Sequence, residues 1–392
     1  IARKKFNVKT DENPLKIMFQ QIFEDKVSFK ENNLIAVKTL EVIERLSANK
    51  PKVAVVGAGI FGISAALSFD NEYDVSLFEK NDDILQNASS INQYRLHRGY
   101  HYPRSAETAL SAKNGLDSFL DEFDCAIENT KQYYAIARNS KVSPSNFEKF
   151  MQKVDLKYKK VELDLVSNAV ESLYEVDEEV FDPNKLYLQA SSRLENSDIK
   201  LKLSSTFTES ALDEFDYVIN ATYANYNEIT DKKKELQFEL CEKPVVRLPK
   251  EFQNVGIVVM DGPFTCIDPY SDTGLHVMGN VVHAIHHTSF GFKPEIPAGY
   301  DALLNKGIVK KPSITNWNKF IETANIFFKN LNNMEHIGSM FTIRAVLPNR
   351  DHDDARPTLI TTDNKKVYNI FSGKIVTAVE GSRKLIEILK KS

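Results

Sequence analysis

The run Val53-Ala54-Val55-Val56-Gly57-Ala58-Gly59-Ile60-Phe61-Gly62 leads through a helical stretch to Val75-Ser76-Leu77-Phe78-Glu79, and it restricts the fold more than any other part of the chain. An apolar β run ends at Gly57, where the backbone must turn sharply. Gly59, between Ala58 and Ile60-Phe61, removes a side chain where a pyrophosphate approaches the main chain, and Gly62 lets the next helix lie close on the strand. The free N–H groups at that helix's N-terminus favour an anion. Ile63, Ala66, Leu67 and Phe69 continue at helix period, and a second strand, Asp74 to Phe78, delivers Glu79 about twenty residues past the glycines. A carboxylate there accepts from both hydroxyls of an adenosine ribose and repels a 2′-phosphate, so Glu79, followed by Lys80, disfavours NADP. The whole reads as a dinucleotide-binding βαβ unit. An ordinary tight strand-to-helix turn accounts for one glycine but not for three plus the acid.

Size and charge set the bounds. The 392 residues are 42% hydrophobic, enough for a large core in two or three domains, and the formal net charge of −4 argues against nucleic acid as a partner. Cys125, Cys241 and Cys266 have no short spacing, which excludes a zinc knuckle or a CxxC pair and fits buried thiols in a reducing compartment. No segment reaches the ~18 to 20 apolar residues of a membrane helix, and the charged start lacks a secretory signal, so the cytoplasm is the expected location.

Residues 1–50 precede the first strand as a helical extension, with stripes at Leu15, Met18, Phe19, Ile22 and Phe23 and at Leu34, Val37, Leu40, Ile43 and Leu46. Such stripes pack on their own domain or dock on a partner subunit or membrane surface; the oligomeric state is not legible. The nucleotide domain is expected in three parts, 51–130, 206–225 and 336–392. Residues 131–205 are mixed, a substrate-domain strand and a return to the nucleotide domain, and 226–335 form the substrate domain. Within that last stretch Phe238 to Val246, Val255 to Met260 and Leu275 to Val282 read as antiparallel strands of a separate sheet.

The first unit is followed by Ser89-Ser90-Ile91-Asn92-Gln93-Tyr94-Arg95-Leu96-His97-Arg98-Gly99-Tyr100-His101-Tyr102. Together they resemble the FAD-dependent oxidoreductases of the D-amino acid oxidase superfamily, with L-2-hydroxyglutarate and glycerol-3-phosphate dehydrogenases as the nearest look-alikes. That resemblance implies FAD as cofactor, with Ser89, Ser90 and Asn92 against it. His97, Gly99 and Tyr102 match H-x-G-x-x-Y, which runs beside the flavin ring. The tail Phe371-Ser372-Gly373-Lys374-Ile375-Val376-Thr377 is similar to the G-G-K-x-T-T segment of the glycerol-phosphate enzymes, which carries Gly373, Lys374, Ile375, Val376 and Thr377 over as flavin contacts. Ile343-Arg344-Ala345 resembles a G-x-R-P or G-x-R-A segment whose arginine faces the substrate. Two departures stand out. Ala221-Thr222-Tyr223 occupies a place where relatives often read A-A-G or A-T-G, so Ala221 transfers as a contact while Tyr223 must fit without glycine's freedom. Phe341-Thr342-Ile343-Arg344 lacks the glycine before the arginine, which leaves that loop's shape open. The likeness runs in order over residues 52–392.

A flavin takes a hydride at N5, so the protein must orient the donor carbon and remove a proton from the adjacent O–H or N–H. Arg344 is the orienting cation, because guanidinium grips a carboxylate or phosphate by two parallel hydrogen bonds; the other reading is a structural salt bridge. Arg356 is a second candidate. His101 and His97 are the proton acceptors of choice, since imidazole titrates near working pH, unless they bind FAD or backbone; a covalent histidyl-flavin is a lesser alternative. Tyr100 and Tyr102 orient substrate or serve as walls. His276, His283, His286 and His287 lack carboxylates at metal-ligand spacing, so no metal is expected and they read as polar residues at the edge of the substrate sheet.

The expected protein is thus α/β, a Rossmann-like FAD-binding domain with a second domain of antiparallel β-sheet plus helices. It oxidises the C–OH or C–NH of a small anionic metabolite of 2-hydroxy acid or amino acid type. Alternatives are oxidation of a sugar or nucleotide-linked sugar, an NAD-dependent dehydrogenase, and a catalytically silent FAD-binding partner protein. The NAD reading requires a complete six-stranded nicotinamide domain within about 150 residues.

Overall fold

The computed structural model describes residues 50–69, 72–262, 264–348, 357–363, 366–371 and 373–391. The chain divides into units 1–50 and 51–392, and every described strand and helix lies in the second. The expected helices of the first fifty residues, Arg356 and Ser372 lie outside the described residues.

The second unit begins with β1 (Lys52–Val56), α1 (Ile60–Phe69) and β2 (Asp74–Phe78), followed by the short β3 (Arg95–Leu96) and α2 (Ala106–Glu122). It continues through β4 (Lys131–Ala137), α3 (Pro144–Lys153), β5 (Tyr158–Val161), β6 (Val170–Val176), β7 (Glu179–Val180) and α4 (Pro183–Glu195). Next come β8 (Lys200–Lys202), β9 (Tyr217–Asn220), β10 (Leu236–Arg247), β11 (Val255–Met260), β12 (Thr265–Tyr270), β13 (Leu275–Asn280) and β14 (Ile285–Gly291). The last elements are α5 (Trp317–Phe327), β15 (Glu335–Val346), β16 (Leu359–Asp363), β17 (Val367–Phe371) and α6 (Ala378–Leu389). Local signals account for several boundaries. Asp182 caps α4 by accepting from Asn184 N–H and Lys185 N–H, with Pro183 in the first turn, and Ser105 caps α2 by accepting from Thr108 N–H.

One sheet has the order β16-β17-β9-β1-β2-β8, parallel except where β16 meets β17. Strands covered on both faces read as continuous apolar runs, and Val53 to Val56 are all buried. The edge strand β8 instead exposes Lys200 and Lys202, which blunts that edge against further pairing. These six strands come from residues 52–371, so the condition set for an NAD domain within one short stretch is not met.

The second sheet has the order β14-β10-β13-β12-β11-β4-β6-β5, with β15 along β10. It departs from expectation in three ways. It is not wholly antiparallel: β11 runs parallel to β4, Val255 opposite Lys131 through Met260 opposite Ile136. It also takes three strands, β4, β5 and β6, from the 131–205 region, where one substrate-domain strand is expected. Finally, Arg344 lies not in a loop but in β15, which pairs with β10 from Arg247–Glu335 to Gln237–Val346; the boundary placed at 336 therefore falls inside a substrate-sheet strand. Among the described residues no helix is long and apolar enough to cross a membrane.

Candidate active site

A cavity of about 1070 Å³ runs between the two sheets, and the early glycine turn and the late Gly-Lys turn both line it. At the first, Gly57 has φ +98°, and its N–H donates to Phe78 O at 2.8 Å. A Cβ on Gly62 would sit 1.7 Å from Gly57 O, so only glycine lets α1 start this close to β1. Glu79 is buried, its Oε2 accepting from Ala58 N–H at 2.8 Å and its Oε1 from Asn81 N–H at 2.9 Å. Ser89 Oγ accepts from Ile60 N–H at 3.1 Å, which ties the Ser/Asn turn to the start of α1.

Of the residues singled out from the sequence, Gly57, Gly59, Ile60, Phe61, Glu79, Lys80, Ser89, Asn92, Ala221, Gly373, Lys374, Ile375 and Val376 line this cavity, as do His97, His101 and Arg344. Ala58, Gly62, Ser90, Thr377 and Tyr102 do not, and each has a supporting position. Ser90 O accepts from Tyr94 O–H at 2.6 Å, and Thr377 O–H donates to Lys374 O at 2.9 Å, closing the tail turn. The Tyr102 ring lies under the Lys374 ammonium, 5.1 Å from its centroid, and 5.9 and 5.5 Å from the His97 and His101 rings. None of His276, His283, His286 and His287 lines the cavity; His276 is buried with Nε2 3.0 Å from Phe252 O, and His286 Nε2 contacts Glu242 at 2.8 Å.

Arg95 and Asp268 also line the cavity, and their charges are paired. Arg95 donates twice to Asp268 Oδ1, at 3.0 and 2.6 Å, and once to Glu178 Oε2 at 2.7 Å. Glu178 also accepts from Tyr134 O–H at 2.8 Å and Arg98 N–H at 2.8 Å, and its Oε1 lies 3.6 Å from His97 Nδ1. That last distance is an electrostatic contact rather than a hydrogen bond. Burial pushes the Glu178 carboxyl up, but His97 and Arg95 outweigh it and hold it at about 2. The His97 and His101 rings lie side by side with centroids 4.9 Å apart and planes tilted by 35°. Arg344 forms the structural pair weighed for it: its guanidinium meets Glu239, directly opposite in the β10–β15 register.

Residues 52–222 match the model of the family described as FAD dependent oxidoreductase, DAO. That stretch resembles a FAD-dependent oxidoreductase domain of that family. The chain is similar to the FAD-dependent monooxygenase kojA of Aspergillus flavus, 29% identical over 58% of this chain and 60% of that one. A second relative is the FAD-dependent monooxygenase FPY4 of Fusarium mangiferae, 25% identical over 60% and 65%. The chain thus spans under two thirds of the length of these relatives. Among solved structures its fold is similar to glycine oxidase from Geobacillus kaustophilus, with TM-score 0.63, 12% identity and coverage of 87% and 95%. It is also similar to L-alpha-glycerophosphate oxidase from Mycoplasma pneumoniae with FAD bound, with TM-score 0.61, 15% identity and coverage of 87% and 94%.

FAD is the cofactor of this domain, and the cradle fits it. Gly59 lines the cavity without a side chain, and a Cβ there would lie 3.1 Å from Ser89 Oγ. Each Glu79 oxygen accepts one backbone N–H and keeps a further lone pair for a ribose hydroxyl. Tyr223 resolves the missing glycine of the FAD family's A-T-G by adopting φ +53°, a conformation costing roughly 1–2 kcal/mol. It is held there by a hydrogen bond from Ala345 N–H to its hydroxyl at 3.1 Å and by stacking on Phe371 at 5.7 Å.

Four residues around the substrate end of the cavity escaped the sequence reading: Gln93, Lys243, Glu178 and Asp268. Their signal was faint. Glu239, Cys241 and Lys243 alternate along β10, the spacing of one strand face, but only the pairing of β10 with β15 shows which face meets the cavity.

Proposed function

We propose that this protein uses FAD to oxidise the C–OH or C–NH carbon of a small anionic polar metabolite, of 2-hydroxy acid or amino acid type. One observation carries this reading: the cavity lined by both FAD-cradling turns also contains the adjacent His97 and His101, with His97 set against a buried carboxylate. Bound FAD supplies the hydride acceptor, N5 of its ring system. His97 takes the proton from the substrate's O–H or N–H, and Glu178, ionised and fixed by Arg95, Tyr134 and the Arg98 N–H, stabilises the imidazolium that results. Lys243 gives the cavity a cation suited to an anion, whereas Arg344 enters it already paired with Glu239. Val258, Val259, Met260 and Phe264 supply an apolar wall that keeps water from the reacting carbon.

The test is anaerobic mixing of FAD-loaded protein with a panel of 2-hydroxy acids, amino acids, sugars and glycerol phosphates. Bleaching of the flavin by a member of the first two classes supports the reading, and protein that cannot be loaded with FAD overturns it. The names of the two fungal relatives favour a second reading, insertion of one oxygen atom from O2 into the substrate. It predicts oxygen-18 from labelled O2 in the product and a requirement for an external reductant, whereas the first reading predicts neither.

A further inference from the structure

Along β10 the cavity-lining side chains are Cys241 and Lys243, with Glu239 preceding them on the same face. Arg344 is opposite Glu239 and Met340 opposite Lys243, so the two cations attach to the sheet about 13 Å apart, four strand residues at ~3.3 Å each. They differ in what already engages them. Arg344 is paired with a buried carboxylate. Lys243 has no carboxylate within ion-pairing distance among the described residues; its ammonium donates one hydrogen bond, to Gln93 Oε1 at 3.1 Å.

Gln93 is held for that contact. Its Nε2 donates to Val277 O at 2.9 Å, which turns Oε1 toward the lysine. The amide fits only because position 279 is glycine: a Cβ there would lie 2.7 Å from Gln93 Oε1 and 2.4 Å from Cys266 Sγ. Gln93 directly follows Asn92 of the FAD-cradling turn and precedes Arg95, which binds the Glu178 that faces His97. Lys243 therefore sits at the same end of the cavity as the proton acceptor.

We infer that the Lys243 ammonium, positioned by the Gln93 amide, receives the carboxylate of the substrate, and that Arg344, neutralised by Glu239, is not the carboxylate clamp. This rests on the proposed oxidation of an anionic metabolite and names the group that recognises it. One ammonium with no counter-ion suits a single negative charge, while phosphate is better matched by a guanidinium fork. Burial pushes the Lys243 ammonium below the ordinary lysine range, so an anion in contact with it restores the charge that desolvation disfavours.

The experiment titrates pyruvate, lactate and inorganic phosphate into oxidised, FAD-loaded protein at constant ionic strength and follows the visible flavin spectrum, with no turnover needed. Wild type gives saturable perturbation by the carboxylates and weaker perturbation by phosphate. Lys243→Met weakens pyruvate by about 10-fold or more, the loss of a charge-assisted hydrogen bond, and Lys243→Arg restores most of it. Gly279→Ala, which displaces Gln93, weakens it by a smaller factor. The double variant Glu239→Gln/Arg344→Gln changes it by less than about threefold. Wild-type affinity falls as pH rises through a value below that of free lysine, and the fall is absent in Lys243→Arg. The inference is overturned if no carboxylate perturbs the wild-type spectrum or if Lys243→Met binds pyruvate normally. It is equally overturned if the double variant rather than Lys243→Met loses binding, or if Lys243→Met alters the ligand-free flavin spectrum while leaving pyruvate affinity intact, which assigns the lysine to the cofactor. Flavin bleached by a neutral or phosphorylated substrate, with carboxylates inert, removes this inference and leaves the oxidoreductase reading standing; failure to load FAD removes that reading instead.

Discussion

His97 Nδ1 faces Glu178 Oε1 at 3.6 Å across the floor of the cavity, and Glu178 has no solvent-accessible side-chain surface. A buried carboxylate with three donors on it has little freedom to move, so it fixes the sign of the field at the imidazole. His97→Gln is expected to lower the rate of substrate-driven flavin reduction by about 10²- to 10⁴-fold while FAD content is retained. Glu178→Gln should lower the rate less, because the neutral amide no longer stabilises the imidazolium formed as the proton is taken. Stopped-flow flavin reduction checks both, and a purely structural Glu178 leaves the rate of the folded, FAD-loaded variant unchanged.

The same carboxylate links folding to acid. Its folded value of about 2 lies below the ordinary 4.5, so the unfolded chain binds the proton more tightly. Its contribution to stability is complete above about 4.5 and is lost as pH falls toward about 2. Urea unfolding between those limits should show stability declining with acid, and Glu178→Gln should flatten that dependence. The variant also leaves Arg95 short of one partner, at a cost of about 3 kcal/mol at neutral pH.

Gly62→Ala tests the glycine turn. The new Cβ would have to clear Gly57 O from 1.7 Å, a backbone atom that yields only if α1 shifts. A loss of about 1–3 kcal/mol is expected, together with reduced flavin per polypeptide after purification. Gly274→Ala is the control for the assay, since nothing lies within 4 Å of its Cβ position, though its φ of +68° costs some stability without touching the cavity.

Arg344→Gln removes the counter-ion of a buried carboxylate, which should destabilise the fold by about 2 kcal/mol, less than for a fully buried pair because Arg344 keeps 35% of its side-chain surface. Glu239→Gln/Arg344→Gln should recover much of that loss, as thermal melts of the single and double variants will reveal. Equal melting of the two would mean that leaving the Glu239 carboxylate unpaired costs nothing.

The FAD half of the molecule was legible because its information is local. Gly57, Gly59, Gly62 and Glu79 belong to one strand–helix–strand unit, and each residue's task follows from the turn it occupies. The substrate half was not, because its chemistry is assembled from afar: Arg95 meets Asp268 across 173 residues and Glu178 across 83. A lysine inside a strand, or a glutamate in the link between two strands, reads as a solvated face until the sheet order is known, which hid Lys243 and Glu178. Strand β12 escaped for a related reason, as Asp268-Pro269 looks like a turn but lies between β11 and β13 with Asp268 buried against Arg95. The parallel pairing of β4 with β11 is set by connections over more than a hundred residues, which no periodicity reports.

Electron density for crystals of the FAD-loaded protein tests the central claim most directly. One FAD is expected to span the cavity, its adenosine ribose at Glu79, its pyrophosphate over Gly59 and its ring system between Gly373-Lys374 and His97. Density for FAD elsewhere, or yellow crystals in which that cavity is filled by side chains, would contradict it.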